Sequence, residues 1–395
     1  MHRMRLLCQT ALLAVLTQLP TASFAQSPGI DSLSGVKTAA DLNATIAAVT
    51  DPAKKLALQK HSAAILTAAA RKPHVDAVTV ALDTAPGSYG KTNTTPADLK
   101  KALGGESAIF DTLKFVNLGS ATLGIKAKRE TDPFNQAFYE HLGHITGLEL
   151  LTIINTTAEN AWLAPLGNLK ALTNLTIINQ SKLNDTGLAH LAGLRQLERF
   201  AYIGTSMTGK PFKDFQGWTK LKSSSFRGSQ IDDEGLMYLC DRFPGYETLS
   251  LAHAKFTDSG AIHLAKLKNL KGLELGSARA TSQSLRHLLN LPLEYFQLGE
   301  GVDAPDSIAT IKEFKTLKRL TLTNCKTLTD AELQVVAGMK HLEHLELGSL
   351  PLAAERVPLL KDFAFLKSMR LVPAYPQGVQ DAIKMVLPGV ALRFD

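Results

Sequence analysis

The chain has 395 residues, with 43 Lys+Arg against 36 Asp+Glu and 45% hydrophobic side chains. So much apolar material excludes a disordered chain, and three cysteines are too few for a small disulfide scaffold. Aromatic residues at 6% argue against a stacking platform for single-stranded nucleic acid, and a net charge of +7 permits loose attraction to anionic surfaces without marking a nucleic-acid binder.

Residues 1–25 read as a secretory signal peptide. Arg3 and Arg5 precede an uncharged apolar stretch from Leu6 to Leu19, and Ser23-Phe24-Ala25 offers the small residues a signal peptidase reads. The stretch falls short of the ~20 residues a spanning helix needs, and Gln9 and Gln18 interrupt it. The expectation is an exported, soluble protein, periplasmic or extracellular, with no membrane span. Residues 26–104 predict a helical N-terminal cap. A helical hairpin is expected over 36–72, with Asp51-Pro52 as N-cap and first helical residue of a helix reaching Arg71. A loop around Pro86-Gly87 and a helix begun by Thr95-Pro96 follow.

From residue 148 one pattern recurs: leucine, two residues, leucine, one residue, leucine. It begins at Leu148/Leu151/Ile153 and continues through Leu172/Leu175/Ile177, Leu197/Phe200/Tyr202, Leu221/Ser224/Phe226 and Tyr246/Leu249/Leu251. The later copies are Leu270/Leu273/Leu275, Leu293/Phe296/Leu298, Leu317/Leu320/Leu322, Leu342/Leu345/Leu347 and Leu366/Met369/Leu371. Successive starts lie 23 to 25 residues apart. Phe110/Leu113/Phe115 reads as an early irregular copy, followed by an insertion from Gly119 to His144. The second half of each unit is helical: Asp185-Thr186-Gly187-Leu188 is echoed at Asp233-Glu234-Gly235-Leu236, at Asp258-Ser259-Gly260 and, with Glu332 replacing Gly, at Asp330. The Asp reads as a helix N-cap and the following leucines as one helical face. The unit from Met207 to Leu221 breaks this pattern and fills its core with Phe212, Phe215 and Trp218.

These motifs resemble the leucine-rich repeat family, specifically its exported bacterial type with a Thr-Asp-x-Gly-Leu helix start. The resemblance implies an α/β solenoid: a leucine-rich-repeat horseshoe with a parallel concave sheet and convex helices, because no 24-residue unit can bury its own leucines alone. The solenoid is expected over 105–395, with regular repeats over 148–371 and a C-terminal cap over 372–395. Family repeats often carry Asn or Cys after the strand as a buried ladder. Here that column includes Thr205, Ser229, Ala254, Ala278 and Cys325, so a continuous Asn ladder is absent. Cys240 and Cys325 lie in units several repeats apart, too far for a disulfide, and are expected as buried free thiols.

Enzyme signatures are poor. There is no P-loop, no Gly-x-Ser-x-Gly elbow and no His-Glu-x-x-His motif, and Ser34-x-x-Lys37 matches a penicillin-binding signature by spelling only. His141-x-x-His144 places two imidazoles on one helical face without a third ligand in recognisable spacing, so neither metal nor cofactor is expected. Asp232-Asp233-Glu234 coincides with a helix start, where negative charge is favourable anyway. What remains is the inner face of the sheet. Its third, fifth, seventh and eighth repeat positions supply Arg199, Arg227, His253, Glu274, Tyr295, Gln297, Arg319, His344, Glu346 and Arg370 as candidate binding residues. Tyr295, Arg319 and His344 should lie side by side. The expected function is a non-catalytic exported scaffold that engages a protein or cell-envelope polymer, with no nucleic-acid partner. The alternatives are a structural envelope component acting by self-association or wall contact, and an enzyme whose chemistry would lie in 26–145.

Overall fold

A computed structural model describes residues 32–85, 87–118, 133–154, 157–178, 182–276, 278, 281–299, 305–353 and 355–395; the expected signal peptide lies outside them. One sheet of 13 strands runs through the molecule in strict chain order. The strands are β1 (Gly87–Asn93), β2 (Asp111–Leu118), β3 (Leu150–Ile154), β4 (Asn174–Ile178), β5 (Arg199–Ile203), β6 (Ser223–Ser225), β7 (Thr248–Ser250), β8 (Gly272–Glu274), β9 (Tyr295–Leu298), β10 (Arg319–Leu322), β11 (His344–Gly348), β12 (Ser368–Val372) and β13 (Ala391–Phe394). From β2 onward every pair is parallel, and each pairing matches one repeat position with the same position in the next unit, as in Arg319 with Tyr295 and with His344. The leucine triads point inward. Leu148, Leu151 and Ile153 are fully buried, and so are their counterparts along most of the array. The sheet is open, and short helices on its other face complete an α/β leucine-rich-repeat solenoid.

The early irregular unit sits in a different register from the one expected. Phe115 pairs with Leu150, so Leu113, Val116 and Leu118 form the inward triad and Phe115 faces the concave side. Upstream, α1 (Ala39–Ala48), α2 (Pro52–Lys60), α3 (Ser62–Thr84) and α4 (Ala97–Leu103) form the cap. Asp51 caps α2 as expected, accepting from the amides of Ala53 and Lys54. The helix does not end at Arg71. It breaks at His61, resumes, and runs through Pro73 to Thr84. The first half of α3 packs Ile65, Ala68 and Ala69 into a small core with Leu33, Leu42, Leu58, Leu99 and Phe110. Its second half places Val75, Val78 and Leu82 in the long core of the solenoid. A single helix therefore belongs to both cores. The expected loop near Gly87 is instead β1, antiparallel to β2, whose Gly, Ser, Lys, Thr and Asn residues cover the edge of the first repeat with a polar strand.

The convex side corrects the reading of the Asp column. The helix N-caps are one residue earlier, at Asn184, Asp232 and Thr257, and the following Asp reaches forward into the next unit. Asp185 Oδ1 accepts from the amide of Thr208 (2.8 Å) and Oδ2 from its hydroxyl (2.6 Å). Asp233 Oδ1 accepts from the amides of Thr257 (2.6 Å) and Gly260 (3.1 Å), and Oδ2 from the Thr257 hydroxyl (2.8 Å). Asp258 repeats the arrangement on Thr281 at 2.7 and 2.6 Å and also accepts from Ser284. Burial raises the pKa of Asp258, but the bonds from Ser284 and Thr281 outweigh it and hold the carboxyl below its usual range. Asn160 begins the series, accepting from the amides of Asn184 (3.0 Å) and Gly187 (3.1 Å). The glycine of the motif follows from this close stacking. A Cβ on Gly235 would stand 1.9 Å from the Thr208 carbonyl oxygen, and one on Gly260 2.5 Å from Asp233 Oδ1. A forward-reaching Asp-to-Thr ladder thus links units that lack the Asn ladder.

The atypical unit is held by aromatic bulk. Phe212 packs edge-on or tilted against Phe226 and Phe243, and Trp218 stands edge-on to Phe200 and stacks on Phe243. Phe215 fills the space between Phe212 and Trp218, and the Trp218 indole donates to the Ala192 carbonyl (3.0 Å). Ser224, which occupies an inward leucine position, is buried and accepts from the Tyr246 hydroxyl (2.9 Å), so the polar substitution is satisfied. Cys240 and Cys325 are both buried free thiols, at 1% and 2% exposure. Along the N-terminal edge of the strands, ion pairs join consecutive units: Lys114 with Glu149, Lys222 with Glu247 (3.0 Å), Lys318 with Glu294 (3.1 Å) and Lys367 with Glu343 (2.6 Å). Each pair is solvated and adds little stability, and the alternation of sign opposes a slip in register.

Candidate binding surface on the concave sheet

Successive strand residues alternate between core and concave side, so one repeat position becomes a row of side chains at ~4.8 Å steps. The third-position row places Tyr295, Arg319 and His344 on adjacent strands, as expected, and the next row brings Glu274 beside Gln297 and Glu346 beside Arg370. Arg199 lies four strands before Tyr295, with Ser223, Thr248 and Gly272 between them. The ten candidate residues therefore form separate groups along the face.

The small residues open a recess. Ser223, Ser225, Thr248, Ser250 and Gly272 line its floor, Arg199 stands at one end, and Glu274 and Tyr295 close the other, around a volume of about 360 Å³. β6, β7 and β8 are only three residues long, against five in β3 to β5, so the hydroxyl floor coincides with the narrowest part of the sheet. The serine and threonine rows were visible in the sequence. The recess they form was missed, because it depends on small side chains recurring in one row across consecutive strands.

At the far end, polar groups fix one another. Glu274 accepts from Ser250 (2.6 Å) through Oε2 and from the Tyr295 hydroxyl (3.2 Å) through Oε1, and the same hydroxyl donates alternatively to Gln297 Oε1 (2.9 Å). Burial pushes the Tyr295 phenol above its ordinary pKa, and the Glu274 charge adds to this, so it stays a neutral donor. Further along, Glu346 meets Arg370 Nη1 at 3.0 Å, and Arg370 and Arg393 both reach Asp395, at 2.6 and 2.7 Å. His344 Nδ1 lies 2.7 Å from the Ser368 hydroxyl. The guanidinium groups of Arg199 and Arg319 are exposed and have no such partner among the described residues.

Arg227 and His253 lie on the rim where the chain leaves β6 and β7, with Arg227 Nη2 3.5 Å from His253 Nε2. The eighth repeat position is a left-handed corner, at φ 71° in Gly204, 73° in Gly228, 64° in His253 and 56° in Ser349. A side chain in that conformation costs ~1 kcal/mol or more relative to glycine. His253 stands where the two preceding units carry glycine.

The two histidines of α5 (Gln136–Gly143) and its C-cap join a third from the cap. His74 on α3 faces His141, Nδ1 to Nδ1, at 2.8 Å and stacks on His144 with ring centroids 3.9 Å apart. Burial lowers the pKa of His74, and the neighbouring His144 and His141 lower it further. The group is a packed junction between cap and solenoid. Among the described residues no set of three or more His, Cys, Asp or Glu side chains is arranged to hold a metal ion, and no helix is long and apolar enough to cross a membrane.

No family model matches the chain. A stretch of 193 residues is 27% identical to F-box/LRR-repeat protein 4 of Bos taurus, covering 43% of this chain. The chain spans 30% of the length of that curated relative. Among solved structures it is similar to an internalin of Listeria monocytogenes, at 18% identity and a TM-score of 0.40, over 58% of this chain and 69% of that one. The parallel strand order and the buried leucine triads identify the architecture as a leucine-rich-repeat solenoid.

Proposed function

We propose that the protein is a non-catalytic, exported binding scaffold that engages a protein or cell-envelope polymer through its concave sheet. The recess bounded by Arg199, Glu274 and Tyr295 carries this reading, because it is an open surface floored by hydroxyl-bearing side chains over apolar ones, and its far wall is already fixed by hydrogen bonds. A preformed wall costs less ordering entropy on association than a mobile one. Export follows from the leader-like residues 1–25 and is checked by the N-terminal sequence of the protein recovered from a secreting host, expected to begin at Gln26.

The binding reading is tested by affinity capture from cell-envelope extract, with Tyr295→Ala and Arg319→Ala compared with the convex variant Lys266→Ala. Loss of the same captured partner in both concave variants, with retention in Lys266→Ala, is the expected result. Retention in both concave variants with loss in the convex one transfers the binding surface to the helical side.

A further inference from the structure

We infer that the concave face accepts an acidic protein segment that crosses the recess and passes Tyr295 to bridge Arg199 and Arg319. This rests on the concave-face reading above and specifies the chemistry of its partner. Mixed charge in the sequence of this face favours no single sign, but the hydrogen-bond pattern does. Glu274 is held by Ser250 and Tyr295, and Glu346 and Asp395 are held by Arg370. On the concave-facing strand rows of the sheet, the guanidinium groups of Arg199 and Arg319 are exposed and have no partner among the described residues, and Arg227 on the rim meets only His253 at 3.5 Å. An incoming ligand therefore meets engaged carboxylates and free cations.

Spacing narrows the choice. Arg199 is on β5 and Arg319 on β10, so five strand steps of ~4.8 Å separate them by ~24 Å along the sheet. An extended polypeptide crossing the strands covers that distance in about seven residues at ~3.3 Å each. Between the two arginines lie Ser223, Thr248 and Ser250, which donate and accept hydrogen bonds, Glu274, which repels negative charge, and the Tyr295 ring, which stands next to Arg319 in the row. Two carboxylates separated by an uncharged stretch satisfy both ends and the middle. A continuous polyanion sets phosphate or sulfate against Glu274, and a basic segment meets an arginine at each end. Guanidinium groups favour carboxylates through paired, charge-assisted hydrogen bonds.

The experiment uses the mature chain and three synthetic peptides of Gly, Ser and Thr, titrated by fluorescence anisotropy at low and physiological salt. One peptide carries two glutamates about seven residues apart, the second has both glutamates adjacent, and the third has lysines in place of the separated pair. The separated pair should bind tightest, by about tenfold over the lysine peptide, and weaken as salt rises. Arg199→Ala and Arg319→Ala should each remove most of that preference, while Lys266→Ala retains it. Equal binding of the glutamate and lysine peptides overturns the inference. So does an oligonucleotide or sulfated glycan that outcompetes the separated glutamates through the same arginines. If the peptides show no preference while Tyr295→Ala and Arg319→Ala still abolish partner capture, the acidic segment fails and the concave reading stands. If peptide binding is lost only in Lys266→Ala, both fail.

Discussion

The convex and concave sides of this solenoid treat their polar side chains in opposite ways. On the convex side each Asp of the ladder accepts at least three hydrogen bonds from the next unit, and the nearby glycine has no room for a methyl group. On the concave side hydroxyls and the free Arg199 guanidinium border an open recess, and a second free guanidinium, Arg319, stands one strand beyond its Tyr295 end. The same repeat spacing produces both. Where a polar group recurs beside a backbone donor of the next unit it becomes a fastening, and where it recurs on the open row it stays available. Sequence period alone does not separate the two cases, because Asp233 and Glu274 are both acidic residues at fixed repeat positions.

The largest effect expected on this contrast is at Gly235. Its added methyl would lie 1.9 Å from the Thr208 carbonyl oxygen, so backbone must move, and Gly235→Ala should cost about 1–3 kcal/mol or more in denaturant unfolding. Gly378→Ala is the control, since a methyl there meets nothing within 4 Å. Equal stability of the two variants would mean that the units are not stacked as closely as the ladder requires. Next is Asp233→Ala, which leaves the amide and hydroxyl of Thr257 without their acceptor, while the Gly260 amide keeps the Thr257 carbonyl, and should cost about 1–3 kcal/mol. Loss of the Glu274 carboxylate, which bonds only side-chain hydroxyls, should cost less.

Acid should loosen two regions in different pH windows. His74 has a lowered pKa in the folded chain, so the unfolded chain takes the proton more readily. Its contribution is complete above the unfolded value of about 6.5 and is lost as pH falls from there through the folded value. Asp258 is also lowered, but from the carboxylate range, so the ladder's contribution holds down to about pH 4 and declines below it. Hydrogen exchange followed from pH 7 to 3 should therefore show α3 losing protection before the helices of the array. His74→Gln should erase the earlier change. Simultaneous loss in both regions would show that cap and array unfold as one unit.

The array was legible in the sequence because its signal is repeated: the leucine triads, spaced 23 to 25 residues apart, give strand, register and burial together. The cap has no such redundancy. Its longest helix passes through Pro73, which would be expected to break it, and β1 sets only Tyr89 and Thr92 among Gly87, Ser88, Gly90, Lys91 and Asn93, residues that signal a loop. Only the neighbouring edge of β2 makes them a strand. The register of β2 slipped for a related reason, since Phe110 and Phe115 outweighed Val116 and Leu118 in apolar bulk. At the candidate site the rows were readable. The pairing of Tyr295 with Glu274 was not, because it joins side chains 21 residues apart.

A smaller effect is expected at the rim. His253 occupies a left-handed corner held by glycine in the two preceding units, so His253→Gly should relieve strain, partly offset by the greater freedom of the unfolded chain. Stability should rise by at most ~1 kcal/mol, while the contact with Arg227 is lost. A clear loss of stability would reassign His253 from the binding rim to the fastening of the corner.

The smallest effect on the fold should come from the two arginines that matter most for the proposed partner. The guanidinium groups of Arg199 and Arg319 have no hydrogen bond or ion pair among the described residues, and both side chains are exposed. Removing them leaves no buried group unsatisfied and opens no cavity, the two routes by which most damaging substitutions act. The double variant Arg199→Ala, Arg319→Ala should unfold within about 0.5 kcal/mol of the parent for each site, and the two changes should add, because five strand steps separate them. By contrast, Arg370→Ala strips the pairing from Glu346 and one partner from Asp395 and should register in the melting curve. If the double variant is as destabilised as Arg370→Ala, the free arginines also serve the fold, and any loss of binding they cause no longer separates recognition from structure.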